Sequence, residues 1–264
     1  LAYNTHYMAY YLNMTANEMF LDTAQLRNSV LSHARMLGYT PRSRSGAVAY
    51  VNVLATPPAG NTQATLTIPK YTTFISEAID SINYNFVTLD SYTVSKADGA
   101  FAYSNVAIKE GEVITYGFTQ DQNNPRNRYR IDSESIDTDT LTVIVQESGS
   151  NTTQTIYTPY DDLTELDSNS AVYFLDETDD GSYTVSFGDG IFGKRLSNGN
   201  IISVTYLDTN ADAANRANVF TMANPLGAVS NITVTTSAAS SAGSDKETIE
   251  EIKFRAPIAY TTQN

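Results

Sequence analysis

The chain has no cysteine and no tryptophan, two histidines, and 16 Lys and Arg against 29 Asp and Glu in 264 residues. Without cysteine there is no disulfide, no thiolate nucleophile and no thiolate-ligated metal. That absence fits folding in a reducing compartment. The shortage of cations leaves a net charge of -13. A nucleic-acid binder needs a cationic footprint to displace counterions from phosphates, so this chain repels that class of partner. Two local basic spots remain, Pro41 to Ser45 and the group Arg126, Arg128 and Arg130. Both read as solvated loops or protein contacts. No run approaches the roughly 18 apolar residues of a membrane span. Leu1-Ala2-Tyr3-Asn4 has neither an initiator Met nor a signal-peptide pattern, which reads as a fragment excised from a longer chain.

What is present is polar without being charged. Charged residues are 17% of the chain and hydrophobic ones 41%, and 18 tyrosines join many Ser, Thr and Asn. This composition is globular and suits strands. The first periodic signal is helical. Thr15-Ala16-Asn17-Glu18 has the form of a capping box, with Met14 and Met19 placed as a hydrophobic staple. Phe20, Val30, Leu31 and Leu37 fall on one apolar stripe, and Gly38 and Pro41 supply a stop. The spacing predicts a helix over about Thr15 to Leu37, with these four residues on its packing or assembly face. His6 falls in the frayed start before it.

From Gly46 the period becomes two. Strands are expected over Ala47–Ala55, Leu66–Ile68, Phe86–Val94, Phe101–Ile108 and Glu112–Phe118. The polar loop Gln120–Asn127 reads as a sub-domain boundary. Beyond it, Leu141-Val143-Val145, Tyr183-Val185-Phe187 and Ile202-Val204-Tyr206 alternate with polar residues. Asp180-Gly181 and Asn198-Gly199 read as type I′ hairpin turns. Ser237–Gly243 reads as a linker. Ser244-Asp245-Lys246-Glu247 reads as a capping box that opens a short helix, ended by Pro257. The expected fold is α+β: an N-terminal amphipathic helix, mainly antiparallel β-sheet sub-domains and a short C-terminal helix. The expected divisions are 1–45 (helical), 46–119 (first β sub-domain), 120–236 (second, with a Gly-rich hairpin) and 237–264 (linker and short helix).

No constellation for catalysis emerges. His6 and His33 have no partner at ligand spacing, and no nucleophile elbow, Walker sequence or dinucleotide fingerprint occurs. Asp176–Gly181 lacks the spaced ligands of a calcium loop. Asp161, Asp162 and Glu165 form an acid cluster with nothing to favour glycosidase chemistry. No cofactor and no metal site is expected. The glycine-rich run from Ser186 to Asn200 is followed by a strand pattern instead of the helix that a phosphate cradle requires. Gly188, Asp189, Gly190, Gly193, Asn198 and Gly199 are therefore read as structural turn residues of a β-hairpin.

FGDGIFGKRLSNGNIISVTY, Phe187 to Tyr206, resembles the signature segment of baseplate J-like proteins. Glu18 to Ala47 is similar to the helix and loop that open that family's core, Ile68 to Phe74 to its I-P-x-x-T-x-F strand, and Gly243 to Asn264 to its C-terminal block. One departure is visible: the family carries Gly after the Thr-Asn that follows the signature strand, and here Ala211 follows Asn210. Asn210 is expected to hold the left-handed turn itself. The resemblance implies a non-enzymatic component of a phage tail baseplate wedge. Such a component links neighbouring wedges into a ring around the tail hub and rearranges when the tail contracts. It further implies a homodimer in each wedge, other wedge proteins as partners, assembly in the host cytoplasm and residence in the virion tail, with no nucleic-acid or membrane partner. The tyrosine content and strand-rich pattern leave an alternative, a receptor- or carbohydrate-binding tail module, which a glycan array would discriminate.

Overall fold

The structure, a computed structural model, describes residues 2–121, 123, 128–160, 166–178 and 180–263. The fold is α+β. The chain divides into two compact units. Unit 1 comprises residues 1–43, 177–182 and 246–264, and unit 2 comprises residues 44–176 and 183–245.

Unit 1 is helical. Among the described residues it holds α1 (Ala2–Asn17), α2 (Arg27–Met36) and α3 (Ile249–Gln263). The single helix expected over Thr15 to Leu37 is thus two helices separated by turns. Thr15 sits in the last turn of α1, where its hydroxyl donates back to the Tyr11 carbonyl at 2.8 Å. Glu18 serves α2 instead: its carboxylate accepts the N–H groups of Gln25 at 2.9 Å and Leu26 at 3.2 Å. These bonds, that of Gln25 foremost with help from Ser29, hold the Glu18 carboxyl below the usual range. At the other end, the box that opens α3 is Thr248 with Glu251, not Ser244 with Glu247. The Thr248 N–H donates to Glu251 Oε2 at 2.8 Å, and the Glu251 N–H returns to Thr248 Oγ1 at 3.3 Å. Pro257 does not end α3, which runs through it to Gln263. A helical proline removes one donor, and the residues beyond it keep theirs.

Unit 2 is built from strands. β1 (Val48–Thr56), β3 (Thr73–Ser76), β4 (Asn85–Thr88), β6 (Phe101–Glu110), β14 (Phe220–Met222) and β15 (Asn231–Ser241) form an antiparallel sheet in the order β14-β3-β4-β6-β1-β15. β2 (Thr65–Ile68) and β5 (Tyr92–Ser95) pair as a separate ribbon. The run expected over Phe86–Val94 therefore breaks into β4 and β5, which serve different sheets. Along β1, Ala49, Val51, Val53 and Ala55 turn inward and Tyr50 and Leu54 outward. The inward set packs with Phe74, Phe86, Phe101, Ile108 and Phe220.

Tyr103 lies in this core with its hydroxyl buried and without a hydrogen-bond partner among the described residues. Burial pushes its phenol up to about 12. An unsatisfied buried hydroxyl costs roughly 1–3 kcal/mol, so Tyr103→Phe is expected to raise stability by about 1 kcal/mol. Urea unfolding of the two proteins measures this. A loss of stability would mean that the hydroxyl is satisfied.

A second sheet holds β7 (Glu112–Thr119), β8 (Arg128–Ile131), β9 (Ile136–Gln146), β10 (Gln154–Pro159), β11 (Val172–Glu177), β12 (Tyr183–Phe187) and β13 (Ile201–Asp208). Their order is β7-β13-β9-β10-β11-β12-β8, and β10 runs parallel to β11. The rings of Phe118 on β7 and Tyr129 on β8, the strands at the two ends of this order, lie 5.1 Å apart. Tyr183, Val185, Phe187, Ile202, Val204 and Tyr206 share its core. Sheet membership does not follow chain order. β7 lies before residue 120 but joins the second sheet, and β14 and β15 return to the first.

Candidate functional site

Unit 1 is organised around one carboxylate. Glu247 is 4% exposed. It accepts the Tyr39 hydroxyl at 2.8 Å and Arg255 Nη1 at 2.7 Å, with the Arg42 N–H at 3.4 Å. Its own carbonyl accepts Arg27 Nη1 at 2.6 Å, and Arg27 Nε meets Glu177 at 2.6 Å. Burial, then Glu247, raises the Tyr39 phenol. The two ends of the chain are thus tied by a charge network that no local sequence pattern announces. Beside it, Val30, Leu31 and Ala34 of α2 bury against Ile252 and Ala256 of α3, with Leu37 half-buried at the margin. Phe20 does not join this stripe. It is 66% exposed, in the turns between α1 and α2.

α1 itself presents its side chains to solvent. Tyr3, Tyr7, Met8, Tyr10, Tyr11, Leu12 and Met14 are all exposed. Tyr3, Tyr7 and Tyr11 form a ladder at helical spacing, with ring centroids 5.1 and 6.1 Å apart. No Asp, Glu, Lys or Arg occurs before Glu18. His6 lies within this helix and is exposed, not in a frayed start.

The glycine-rich segment is not a hairpin. β12 pairs with β8, and β13 pairs with β7 and β9, so residues 188–200 form a crossover between strands that are not neighbours. Its first half is a tight loop. Asp189 Oδ1 accepts the N–H groups of Ile191 at 2.8 Å and Phe192 at 2.9 Å. These two bonds, that of Phe192 first, hold the Asp189 carboxyl below its usual range. Gly190 donates to the Gly193 carbonyl at 3.1 Å. The loop base is tied to the turn at Asp167–Ser170: Gly193 N donates to Asp167 O at 3.0 Å and Lys194 N to Ser170 O at 2.8 Å. Gly188 packs so closely that a Cβ there would lie 2.3 Å from the Gly193 carbonyl carbon. At the second turn Asn200 N donates to Ser197 O at 3.1 Å, and Gly199 has φ 86° while Asn198 stays at negative φ. That is a type II signature, not type I′. At the earlier turn Gly181 has φ 82° and its N–H donates to the Thr178 carbonyl at 2.9 Å.

A polar junction joins the two sheets inside unit 2. Lys109 Nζ on β6 meets Asp137 Oδ2 on β9 at 2.6 Å, and the Gly46 N–H donates to the same oxygen at 3.0 Å. Next to it Glu110 accepts the Asn210 side chain at 2.8 Å and the Asn210 N–H at 3.2 Å. Asn210 is thus committed to Glu110, and the left-handed residue is Ala211, at φ 57°. This corrects the expectation for Asn210. Relieving the left-handed strain gains roughly 1–2 kcal/mol, and glycine's extra chain entropy takes back 0.5–1. Ala211→Gly should therefore stabilise the protein by about 0.5–1 kcal/mol. A lower melting temperature in Ala211→Gly would contradict the assignment.

Burial raises the Glu110 carboxyl, partly offset by the Asn210 donors, and Asp137 and Asp208 push it further. A carboxyl raised on folding binds its proton more tightly folded than unfolded. Its stabilising contribution is therefore present at acid pH and is lost as pH rises from the ordinary Glu range through the folded value. Glu110→Gln keeps an acceptor for Asn210 and removes this titration. Its stability relative to wild type should rise across that window in urea titrations at stepped pH. A fall with rising pH would refute the assignment.

The remaining chemical candidates are dispersed. His33 Nε2 lies 2.9 Å from the Glu18 carbonyl oxygen. Asp161, Asp162, Glu165, Arg126 and Asp179 fall outside the described residues. Arg44 pairs with Asp245 at 2.9 Å. Among the described residues no group of three or more His, Asp and Glu could hold a metal. No described helix is long and apolar enough to cross a membrane.

No family model matches the chain. Over 287 aligned residues it is 26% identical to the "Baseplate wedge protein gp6" of Enterobacteria phage T4, with 100% of this chain and 42% of that protein covered. The chain spans about two fifths of the length of that relative. Among solved structures, a chain of the six-fold symmetrised cryo-EM baseplate of the anti-feeding prophage (AFP) is 13% identical. That match covers 91% of this chain and 43% of that one at a TM-score of 0.31, a superposition too loose to carry an argument. The resemblance to phage baseplate proteins read from the sequence is thus matched by an alignment over the whole chain.

Proposed function

We propose that the chain is a structural, non-enzymatic part of a contractile-tail baseplate wedge. In this reading it is assembled in the host cytoplasm and carried in the virion. It helps link neighbouring wedges into a ring around the tail hub, as a homodimer in each wedge, and it rearranges when the tail contracts. The alignment with a baseplate wedge protein supports the baseplate role. The observation that carries the assembly role is α1. A charge-free helix with seven large apolar or aromatic side chains in solvent is a surface that needs a protein partner. An isolated helix of this length is marginal in water, so its stability comes from packing against something else. The net charge of -13 argues against a phosphate-rich partner.

Deleting residues 2–17 from the full-length protein tests this. The expected result is an unchanged melt for the rest of the protein and loss of the protein from purified tails, read by mass spectrometry. Normal incorporation of the deletion protein would remove α1 from assembly. Absence of the intact protein from tails would remove the baseplate reading.

A further inference from the structure

The loop after β12 carries a feature that its turn geometry alone does not require. Its apex places Ile191 and Phe192 side by side in solvent, 70% and 53% exposed. Two large apolar side chains held in solvent at a loop tip forgo the free energy that burial would give them. Yet the loop beneath them is held from several directions. Asp189 accepts both of their N–H groups, Gly190 closes on Gly193, and Gly193 and Lys194 are bound to the 167–170 turn. A rigid presentation of exposed apolar side chains avoids the ordering cost that a flexible loop meets on binding. Lys194 and Arg195 follow directly, both exposed, on a chain whose net charge is -13.

We infer that the 188–195 loop is a preformed binding knob, and that its occupant is a different tail protein with an apolar pocket rimmed by carboxylates. Phe192 and Ile191 fill the pocket, and Lys194 and Arg195 meet its rim. Apolar anchors in desolvated pockets with charged residues at the edge are the usual anatomy of a binding hot spot. A second copy docking knob to knob is the poorer occupant, because it would set Lys194 and Arg195 against the same cations. This inference rests on the baseplate reading and adds to it the surface and the chemistry of the partner.

The test places a photo-reactive benzoylphenylalanine at position 192 of the full-length protein and irradiates assembled tails. The expected product is one cross-link to another tail protein, at an apolar site flanked by Asp or Glu. Phe192→Ala should melt like wild type and bind that protein about thirty-fold more weakly. Lys194→Glu combined with Arg195→Glu should weaken binding at low salt and flatten its salt dependence. Cross-linking to a second copy, or no cross-link although the protein is incorporated, would overturn the knob. Wild-type protein missing from the tails would overturn the baseplate reading, and the knob with it. A lowered melt for Phe192→Ala would mean that the side chain packs within its own chain, which would also overturn the inference.

Discussion

Leu31→Asp is expected to unfold the packing of α2 on α3 while leaving the strands of unit 2 formed. Among the described residues Leu31 is buried in a cluster of six buried side chains, Ala24, Val30, Leu31, Ala34, Ile252 and Ala256, with Leu21, Leu37, Tyr39 and Ile249 half-buried at its edge. Three of the six are alanines, so Leu31 and its two branched neighbours supply most of the apolar volume. Truncating a buried leucine costs about 2–5 kcal/mol, and a carboxylate adds the cost of an unpaired charge in an apolar site. Together these are on the order of 5 kcal/mol or more, comparable to the whole stability of a small unit. Among the described residues the nearby cations are already engaged: Arg27 by Glu177, Arg255 by Glu247 and Lys253 by Glu250. Far-ultraviolet circular dichroism should lose helical signal at 25 °C, and hydrogen exchange should show α2 and α3 unprotected with β1, β6 and β9 still protected. Retention of both the helical signal and the α2 protection would show that Leu31 is not a core residue.

The α+β class and most strands were legible because alternation and burial agree. β1 buries every second residue, and β12 and β13 send Tyr183, Val185, Phe187, Ile202, Val204 and Tyr206 into one core. α1 was not legible, because its apolar residues surround the helix and give no 3.6-residue stripe to detect. Merging the break at Asn17–Leu26 into one helix followed from the same rule, since apolar residues continue at three- and four-residue steps through the turns. The Glu247 network could not be read either. Tyr39 and Arg42 are more than 200 residues from it in sequence, and only folding brings them together. Turn chemistry misled in one place. Asn198-Gly199 does turn the chain, but a turn does not say which strands pair, and β12 lies between β11 and β8, the latter some 55 residues upstream, and not beside β13. Ala211 was visible only as a departure from the resembling family. Its backbone is left-handed, a conformation that glycine adopts without strain.

Among the glycines of the 188–200 segment, Gly188→Ala should be the most damaging substitution. Its reason is contact and not backbone conformation. A Cβ at Gly188 would lie 2.3 Å from both the carbonyl carbon and the oxygen of Gly193, and 2.6 Å from the Phe192 carbonyl oxygen. All three atoms are backbone, so no side-chain rotation relieves the overlap. The loop must open, which pulls Gly193 away from Asp167 and Lys194 from Ser170. Overpacking costs typically 1–3 kcal/mol and more where the neighbours cannot move, so about 3 kcal/mol is expected. Gly199 differs: nothing lies within 4 Å of its built Cβ, and only its φ of 86° resists a side chain. Gly199→Ala should therefore cost about 1–2 kcal/mol. Asp189→Asn should cost least, because an amide oxygen can accept the same N–H groups of Ile191 and Phe192. Urea unfolding of the three variants should rank them Gly188→Ala, Gly199→Ala, Asp189→Asn from most to least destabilised. If Asp189→Asn falls below Gly188→Ala, the charge of Asp189 has a function that the loop geometry does not contain, and the close approach of Gly188 to Gly193 is not what holds the loop.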